Sequence, residues 1–177
     1  KIENGEVTIN LTADDKKELL DRLTKIEGFE KYIHRTFVGA KRFSIEGLDT
    51  LVVFLDELVR RSEEINTKKV LIGMAHRGRL NVHTHILNKP YEMLFAPFAG
   101  VSDEYFVPED GSLETTRGWF GDVVYHLGAT YSAPSGMQRF LAYNPSHLEV
   151  VNAVVGGQTR AAQKIGTKAG VAERDTK

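Results

Sequence analysis

The sequence predicts an α/β domain in which helices flank a parallel sheet, and three observations indicate that class. Two amphipathic helical patterns open the chain. Two short apolar runs then each lead into a helical pattern, an order that is typical of parallel strand–helix units. Two such runs do not complete a sheet, so we expect the fold to be incomplete at its C-terminus.

Two helices are predicted in the first third of the chain. Thr12 precedes an alanine and two aspartates, a combination that is typical of a helix N-terminus. Apolar residues then recur at helical spacing to about Ile33. A second apolar stripe begins at Leu48 and predicts another amphipathic helix, which ends near residues 65–66.

The first strand–helix unit lies in the middle of the chain. Residues 70–74 (VLIGM) are nearly all apolar, as expected of a strand that is covered on both faces. A helical pattern follows over residues 80–87. Pro90 then predicts the start of a short helix that reaches Phe98.

The second unit follows a long predicted loop. Residues 100–121 contain glycines, a proline and several acids, and loops of this length are usually functional or mobile. Residues 140–143 (FLAY) predict a second buried strand, and Ser146 is a candidate cap for a helix that continues through Val155. Residues 166–177 are polar and rich in glycine and alanine, which predicts a linker or tail.

The composition excludes several classes of protein. The absence of cysteine excludes disulfide scaffolds, cysteine-ligated zinc and thiolate catalysis. A net charge of -1 gives no support to a protein that coats nucleic acid. The apolar runs are far shorter than the ~20 residues of a membrane span, and the N-terminus lacks a secretory apolar core. We therefore expect a soluble intracellular domain with neither nucleic acid nor membrane as partner. The missing initiator methionine indicates a piece of a longer protein.

The turn after the first predicted strand is the strongest candidate site. His76, Arg77, Gly78 and Arg79 stand where a buried strand ends and a helix begins. Ligands of parallel sheets bind at the carboxyl ends of strands, and helix N-termini offer free N–H groups to anions. Either arginine could clamp a phosphate. The alternative is that the arginines pair with acids at the surface and that His76 is a satisfied cap.

Other histidines give weaker signals. His126 lies between apolar residues and glycines in residues 121–128, a setting that favours a buried structural histidine over one aimed into a cleft. His147 falls in a predicted first helical turn, where local hydrogen bonding suffices. His83 and His85 are two residues apart on a predicted helix, so they face different directions and make a poor metal pair.

Four segments in this order closely resemble the E1 component of 2-oxoglutarate dehydrogenase. The likeness extends from about residue 26 to residue 163. The segments are FVGAKRFSIEG (37–47), GMAHRGRLNV (73–82), GDVVYHLG (121–128) and NPSHLE (144–149).

The resemblance implies a thiamine-diphosphate enzyme that oxidatively decarboxylates 2-oxoglutarate in the tricarboxylic acid cycle. The succinyl group passes to the lipoyl group of its E2 partner, dihydrolipoyl succinyltransferase. By residue-level match, Arg77 would hold the cofactor diphosphate, and Leu127 would belong to the same cofactor wall. His76 and His126 would face the substrate, binding its carboxylates or handling protons. Thr130 lies where some members place a hydroxyl that contacts substrate.

The resemblance also implies that this chain carries only part of the site. Family members bind Mg²⁺ through an aspartate and a later asparagine, both of which we expect beyond residue 177, so no metal ligand is assigned here. Asp122 and Asn152 imitate their spacing, but the residues around Asp122 match the substrate segment instead, so we treat it as a decoy. We expect a structural supporting role for His147.

The expected organisation is an N-terminal helical segment (1–36), the front part of the diphosphate-binding domain (37–165) and a linker or tail (166–177). Such a piece is expected to be inactive alone and to form a homodimer as part of the longer protein. It would lie in the bacterial cytoplasm, or in the mitochondrial matrix if eukaryotic. Two alternatives stay open: another thiamine-diphosphate decarboxylase or carboligase of 2-oxo acids, and a non-catalytic anion-binding or assembly module.

Overall fold

The fold combines five α-helices with a four-stranded sheet in the part of the chain that the structure describes. That structure is a computed structural model. It describes residues 10–115, 121–144, 147 and 149–168. Of these, residues 121, 122 and 166–168 are described by their backbone alone. The elements are α1 (Ala13–Thr36), α2 (Thr50–Glu64), β1 (Lys69–Ile72), α3 (Arg79–His85), α4 (Tyr91–Phe95), β2 (Leu113–Thr115), β3 (Ala129–Ser132), β4 (Gln138–Leu141) and α5 (Val150–Lys168), with 3₁₀ turns at Asp103–Phe106 and Gly121–His126.

The sheet is mixed, with the strand order β1-β4-β3-β2. β1 and β4 are parallel, and Ile72 lies opposite Leu141. β3 is antiparallel to both β4 and β2. The predicted α/β class is therefore confirmed, whereas the prediction of a parallel sheet holds only for the β1–β4 pair. The reason is local: β3 and β4 are joined by a tight turn through Gly136 (φ +85°), and such a hairpin forces antiparallel pairing.

Two further elements differ from the predictions. The loop predicted over residues 100–121 contains a 3₁₀ turn and the strand β2. At the other end, α5 continues to Lys168, so the first three residues of the predicted tail are helical. The predicted cap Ser146 lies outside the described residues.

α1 begins as its sequence predicts. The Thr12 side chain accepts a hydrogen bond from the Asp15 backbone N–H at 3.1 Å, and the Asp15 carboxylate accepts one from the Thr12 backbone N–H at 2.8 Å. This reciprocal capping box satisfies two N–H groups that a helix start leaves without partners. Within the described residues, no helix has the length and apolarity that crossing a membrane requires.

α1 packs against the sheet-containing part of the chain through two apolar clusters. Ile26 belongs to a cluster with α2, α3 and the sheet, and Phe29 and Ile33 belong to a second cluster beside α3 and α4. The buried carboxylate of Glu30 lies between these contacts. Its acceptors are taken by Arg42, by the backbone N–H of Ile45 and by Asn81, and the last of these bonds is 2.6 Å long. Such pairing is what makes a buried carboxylate tolerable.

Candidate functional site

The structure brings His76 and His126 together. Their ring centroids are 5.1 Å apart and their planes are nearly perpendicular. His76 follows β1, and His126 ends the 3₁₀ turn that leads into β3. Both rings are half-buried. Two segments that are 50 residues apart in sequence thus form one pair of imidazoles beside the sheet.

Asn144 connects the two histidines. Its side-chain Nδ2 lies 2.7 Å from His76 Nδ1, and its backbone carbonyl oxygen lies 2.8 Å from His126 Nδ1. Its own backbone N–H donates to the His126 carbonyl at 3.1 Å. Asn144 is 5% exposed, and its bonds to the two half-buried histidines are partly buried. Asn144 has no role among the sequence-based predictions; the available signal was a polar residue directly after the predicted strand 140–143.

Two aromatic rings support the pair. Phe43 stacks on His76 at 4.6 Å and meets the Tyr125 ring edge-on at 4.7 Å. The Tyr125 hydroxyl donates to the Lys41 carbonyl at 2.8 Å. Residues 41–43 therefore form one wall of the histidine site. They belong to the motif at residues 37–47, which contributed to the sequence-based predictions only through the family resemblance.

The two arginines of the turn have different roles. Arg77 is exposed, and its Nη2 donates to the Glu46 carbonyl at 2.8 Å. Arg79 is fully buried and donates to three backbone carbonyls: Met74 at 3.0 Å, Leu127 at 2.7 Å and Ala142 at 2.5 Å. Burial lowers the pKa of Arg79 to about 10. The prediction that Arg79 could clamp a phosphate is therefore wrong, because its guanidinium is buried. Arg77, the other predicted clamp, has an accessible guanidinium.

The start of α3 differs from the predicted anion site. Gly78 adopts φ +73°, a conformation that suits glycine, and an added Cβ would lie 2.3 Å from Ile45. The Gly78 N–H donates to the Phe43 carbonyl, and the Arg79 N–H donates to the His76 carbonyl. These two amides are consequently not free for an anion. Gly78 serves instead to bring the histidine turn close to the loop before α2.

The remaining predicted site residues are not members of the histidine pair. Leu127 is half-buried, and its carbonyl accepts the Arg79 hydrogen bond. Thr130 is half-buried on β3, opposite Glu114 and Phe140 in register. His147 is exposed.

Two histidines of α3 are held neutral by burial. Burial, with Lys89 and Arg79 nearby, lowers the pKa of His83 well below its usual range. Burial also lowers the pKa of His85 to about 4, helped by Lys25. Neither belongs to the histidine pair at residues 76 and 126.

A cavity of about 450 Å³ lies between α1, α2 and the segment after α3. Its walls carry both charges, and inside it Arg22 forms an ion pair with Asp56. His85 and Lys89 also line it. None of the predicted site residues lies on these walls, so this cavity is separate from the histidine pair.

Comparison with known proteins identifies the family. The chain is 57% identical over 180 residues to the 2-oxoglutarate dehydrogenase E1 component of Geobacillus sp. (strain WCH70), which covers 99% of this chain. It is 50% identical over 179 residues to the E1 component of Bacillus subtilis, again with 99% of the chain covered. The chain thus corresponds to a part of 2-oxoglutarate dehydrogenase E1 components. The E1 component of Staphylococcus aureus (strain N315) is 52% identical over 94% of the chain. No protein-family model matches the sequence.

The chain spans about 19% of the length of these E1 relatives. The E1 component family implies thiamine diphosphate with a metal ion. The described residues fit one part of that requirement, because Arg77, which follows His76 in the sequence, offers an exposed guanidinium to an anion. Among the described residues, no group of three or more His, Asp or Glu side chains is placed to hold a metal ion. The side chain of Asp122 lies outside the described residues.

Proposed function

We propose that this chain is the part of a 2-oxoglutarate dehydrogenase E1 that supplies the substrate-facing histidines and a diphosphate-binding arginine. The observation that carries the proposal is the juxtaposition of His76 and His126, linked through Asn144, in a chain 57% identical to an E1 component. Imidazole side chains are suited both to carboxylate binding and to proton transfer.

Each predicted residue has a proposed role that its position supports. Arg77 would hold the diphosphate, because its guanidinium is exposed and forked donors suit phosphate. His76 and His126 would face the 2-oxo acid. Leu127 would lie against the cofactor, and the Thr130 hydroxyl would contact substrate. When bound, thiamine diphosphate supplies the electron sink for decarboxylation.

The proposal extends to the enzyme of which this chain forms a part. That enzyme would be a cytoplasmic homodimer of the tricarboxylic acid cycle and would pass the succinyl group to the lipoyl group of its E2 partner. Residues 37–165 would form the front of its diphosphate-binding domain, preceded by the helical segment 1–36. The Mg²⁺ ligands would come from residues outside this chain, so the 177 residues alone would have negligible activity.

A chimera tests this proposal. The matching segment of the Bacillus subtilis E1 component is replaced by this chain, and oxidation of 2-oxoglutarate is measured with thiamine diphosphate, Mg²⁺ and an electron acceptor. We expect the chimera to be active and the isolated chain to be inactive. A folded but inactive chimera, or robust turnover by the isolated chain, would contradict the proposal.

Two variants of the chimera separate the roles. Arg77→Ala should weaken thiamine-diphosphate binding about 10- to 100-fold with little change in kcat at saturating cofactor, since one charge-assisted contact is worth about 1.5–3 kcal/mol. His126→Ala should lower kcat by a factor of about 100 or more. Arg61→Ala, at an exposed position of α2, is the matched control and should change neither. Indistinguishable effects of the first two variants would refute the assigned roles.

A further inference from the structure

We propose that Asn144 fixes opposite tautomers on the two histidines. His76 would then present an N–H donor at Nε2, and His126 would present a lone pair at Nε2. The tautomers follow from hydrogen bonds to the two Nδ1 atoms, and their consequence for catalysis rests on the proposed function.

The tautomer of His126 follows from the chemistry of its partner. A backbone carbonyl oxygen can only accept a hydrogen bond. Because the Asn144 oxygen lies 2.8 Å from His126 Nδ1, that nitrogen carries the proton. A neutral imidazole has one N–H, so His126 Nε2 is left as an acceptor.

The tautomer of His76 is the reverse. The Asn144 amide nitrogen lies 2.7 Å from His76 Nδ1 and can only donate, so His76 Nδ1 accepts and its proton lies on Nε2. The same amide nitrogen also lies 3.5 Å from the Tyr125 carbonyl oxygen. Rotating the amide by half a turn would place its oxygen against that carbonyl, so Tyr125 fixes which end of the amide meets His76.

Both bonds come from one buried residue whose position is itself fixed. Asn144 is 5% exposed, and its backbone N–H bonds to the His126 carbonyl. Within the described part of the chain, neither histidine Nε2 has a hydrogen-bond partner. The two Nε2 atoms are therefore the groups that remain for a ligand, one as a donor and one as an acceptor.

As a consequence, the two histidines would have different roles toward one substrate, His76 as a hydrogen-bond donor and His126 as a proton acceptor. His76 Nε2–H can donate to a carbonyl or carboxylate oxygen of a 2-oxo acid without losing its proton. His126 Nε2 can accept a proton released beside it; the ring then becomes an imidazolium, and its Nδ1–H bond to the Asn144 carbonyl strengthens because the donor is charged. Asn144 thus acts as a positioning residue, through the two rings it contacts.

Nuclear magnetic resonance of the 177-residue chain tests the assignment without any measurement of activity. In ¹⁵N-histidine-labelled protein above pH ~8, where imidazoles are neutral, a protonated ring nitrogen is readily distinguished from an unprotonated one. His76→Gln and His126→Gln variants assign the signals. We expect Nδ1 of His76 to be unprotonated and Nδ1 of His126 to be protonated. The same tautomer on both rings, or the opposite pair, would overturn the proposal.

Asn144→Asp provides the matched perturbation. A carboxylate at this position can only accept, so His76 should move its proton to Nδ1. His126 should keep its tautomer, because it bonds to the backbone of residue 144, and it serves as the internal control. An unchanged His76, or a change in both rings, would contradict the mechanism. The wild-type measurement stands even if this variant does not fold, and an inactive chimera would refute the proposed function without affecting these tautomers.

Discussion

Replacing Arg79 by methionine should destabilise the fold, although the methionine side chain is uncharged and well suited to an apolar interior. Arg79 is fully buried and donates to three carbonyls. Methionine keeps most of the aliphatic contacts and removes every donor. One buried and two half-buried carbonyls then lose this partner, and acceptors without partners are costly in such positions.

The magnitude comes from two opposing contributions. Hydrogen bonds to a charged group are worth about 1.5–3 kcal/mol each, so three contribute roughly 6 kcal/mol. Burial lowers the pKa of Arg79 to about 10, which corresponds to roughly 3 kcal/mol against the buried charge. We therefore expect Arg79→Met to lower the free energy of unfolding by about 3 kcal/mol.

Urea unfolding followed by circular dichroism measures this difference, and the neighbouring arginine supplies the control. Arg77 is exposed and makes one hydrogen bond to the Glu46 carbonyl, so Arg77→Met should change stability by no more than about 0.5 kcal/mol. Equal losses for the two variants, or an Arg79→Met protein as stable as the wild type, would refute the reasoning.

Two further predictions concern the turn before α3 and the pH dependence of stability. Gly78→Ala should cost about 3 kcal/mol, because φ is +73° and the new methyl group would lie 2.3 Å from Ile45. Gly47→Ala, at φ +87° but 3.7 Å from its nearest neighbour, should cost only about 1 kcal/mol in the same urea assay, and equal costs would exclude the steric explanation. Burial lowers the pKa of His85 to about 4. Neutral His85 should therefore contribute fully to stability above pH ~6.5 and lose that contribution as the pH falls toward 4. The expected loss in the free energy of unfolding is about 2 kcal/mol after allowance for the partial exposure of the ring. Between pH 7.5 and pH 5, the free energy of unfolding should fall less for His85→Gln than for the wild type. An identical fall in both proteins would contradict this explanation.

The helices were predictable because their signals are local. The capping residues of α1 and its apolar spacing identify it without any knowledge of its partners. β2 and β3 were not predictable in this way. They have three and four residues, include polar side chains, and are defined by their pairing: β3 pairs with β4, and β2 pairs with β3. Short strands of this kind acquire their structure from the neighbouring strand, which a single sequence does not specify.

The candidate site shows the same difference between features with local sequence signals and features that depend on contacts between distant residues. The residue pattern favoured a structural role for His126, and only the family resemblance placed it beside His76. Asn144 escaped notice because its partner at residue 76 is 68 positions away, and a polar residue before proline ordinarily indicates a turn. Arg77 and Arg79 are indistinguishable by composition, since exposure depends on how the whole chain folds around them.

The position of Arg79 explains why a costly buried charge occurs here. Its three carbonyl partners belong to Met74, Leu127 and Ala142. Met74 lies two residues before His76, Leu127 directly follows His126, and Ala142 lies two residues before Asn144. One guanidinium therefore fixes the backbone of each segment that carries a member of the histidine–asparagine cluster. Three neutral contacts could supply comparable stability, but a single planar group with five donors also sets the relative positions of three chain segments. Because the Nδ1 bonds that set the tautomers require those positions, the buried arginine and the two imidazoles form one structural unit.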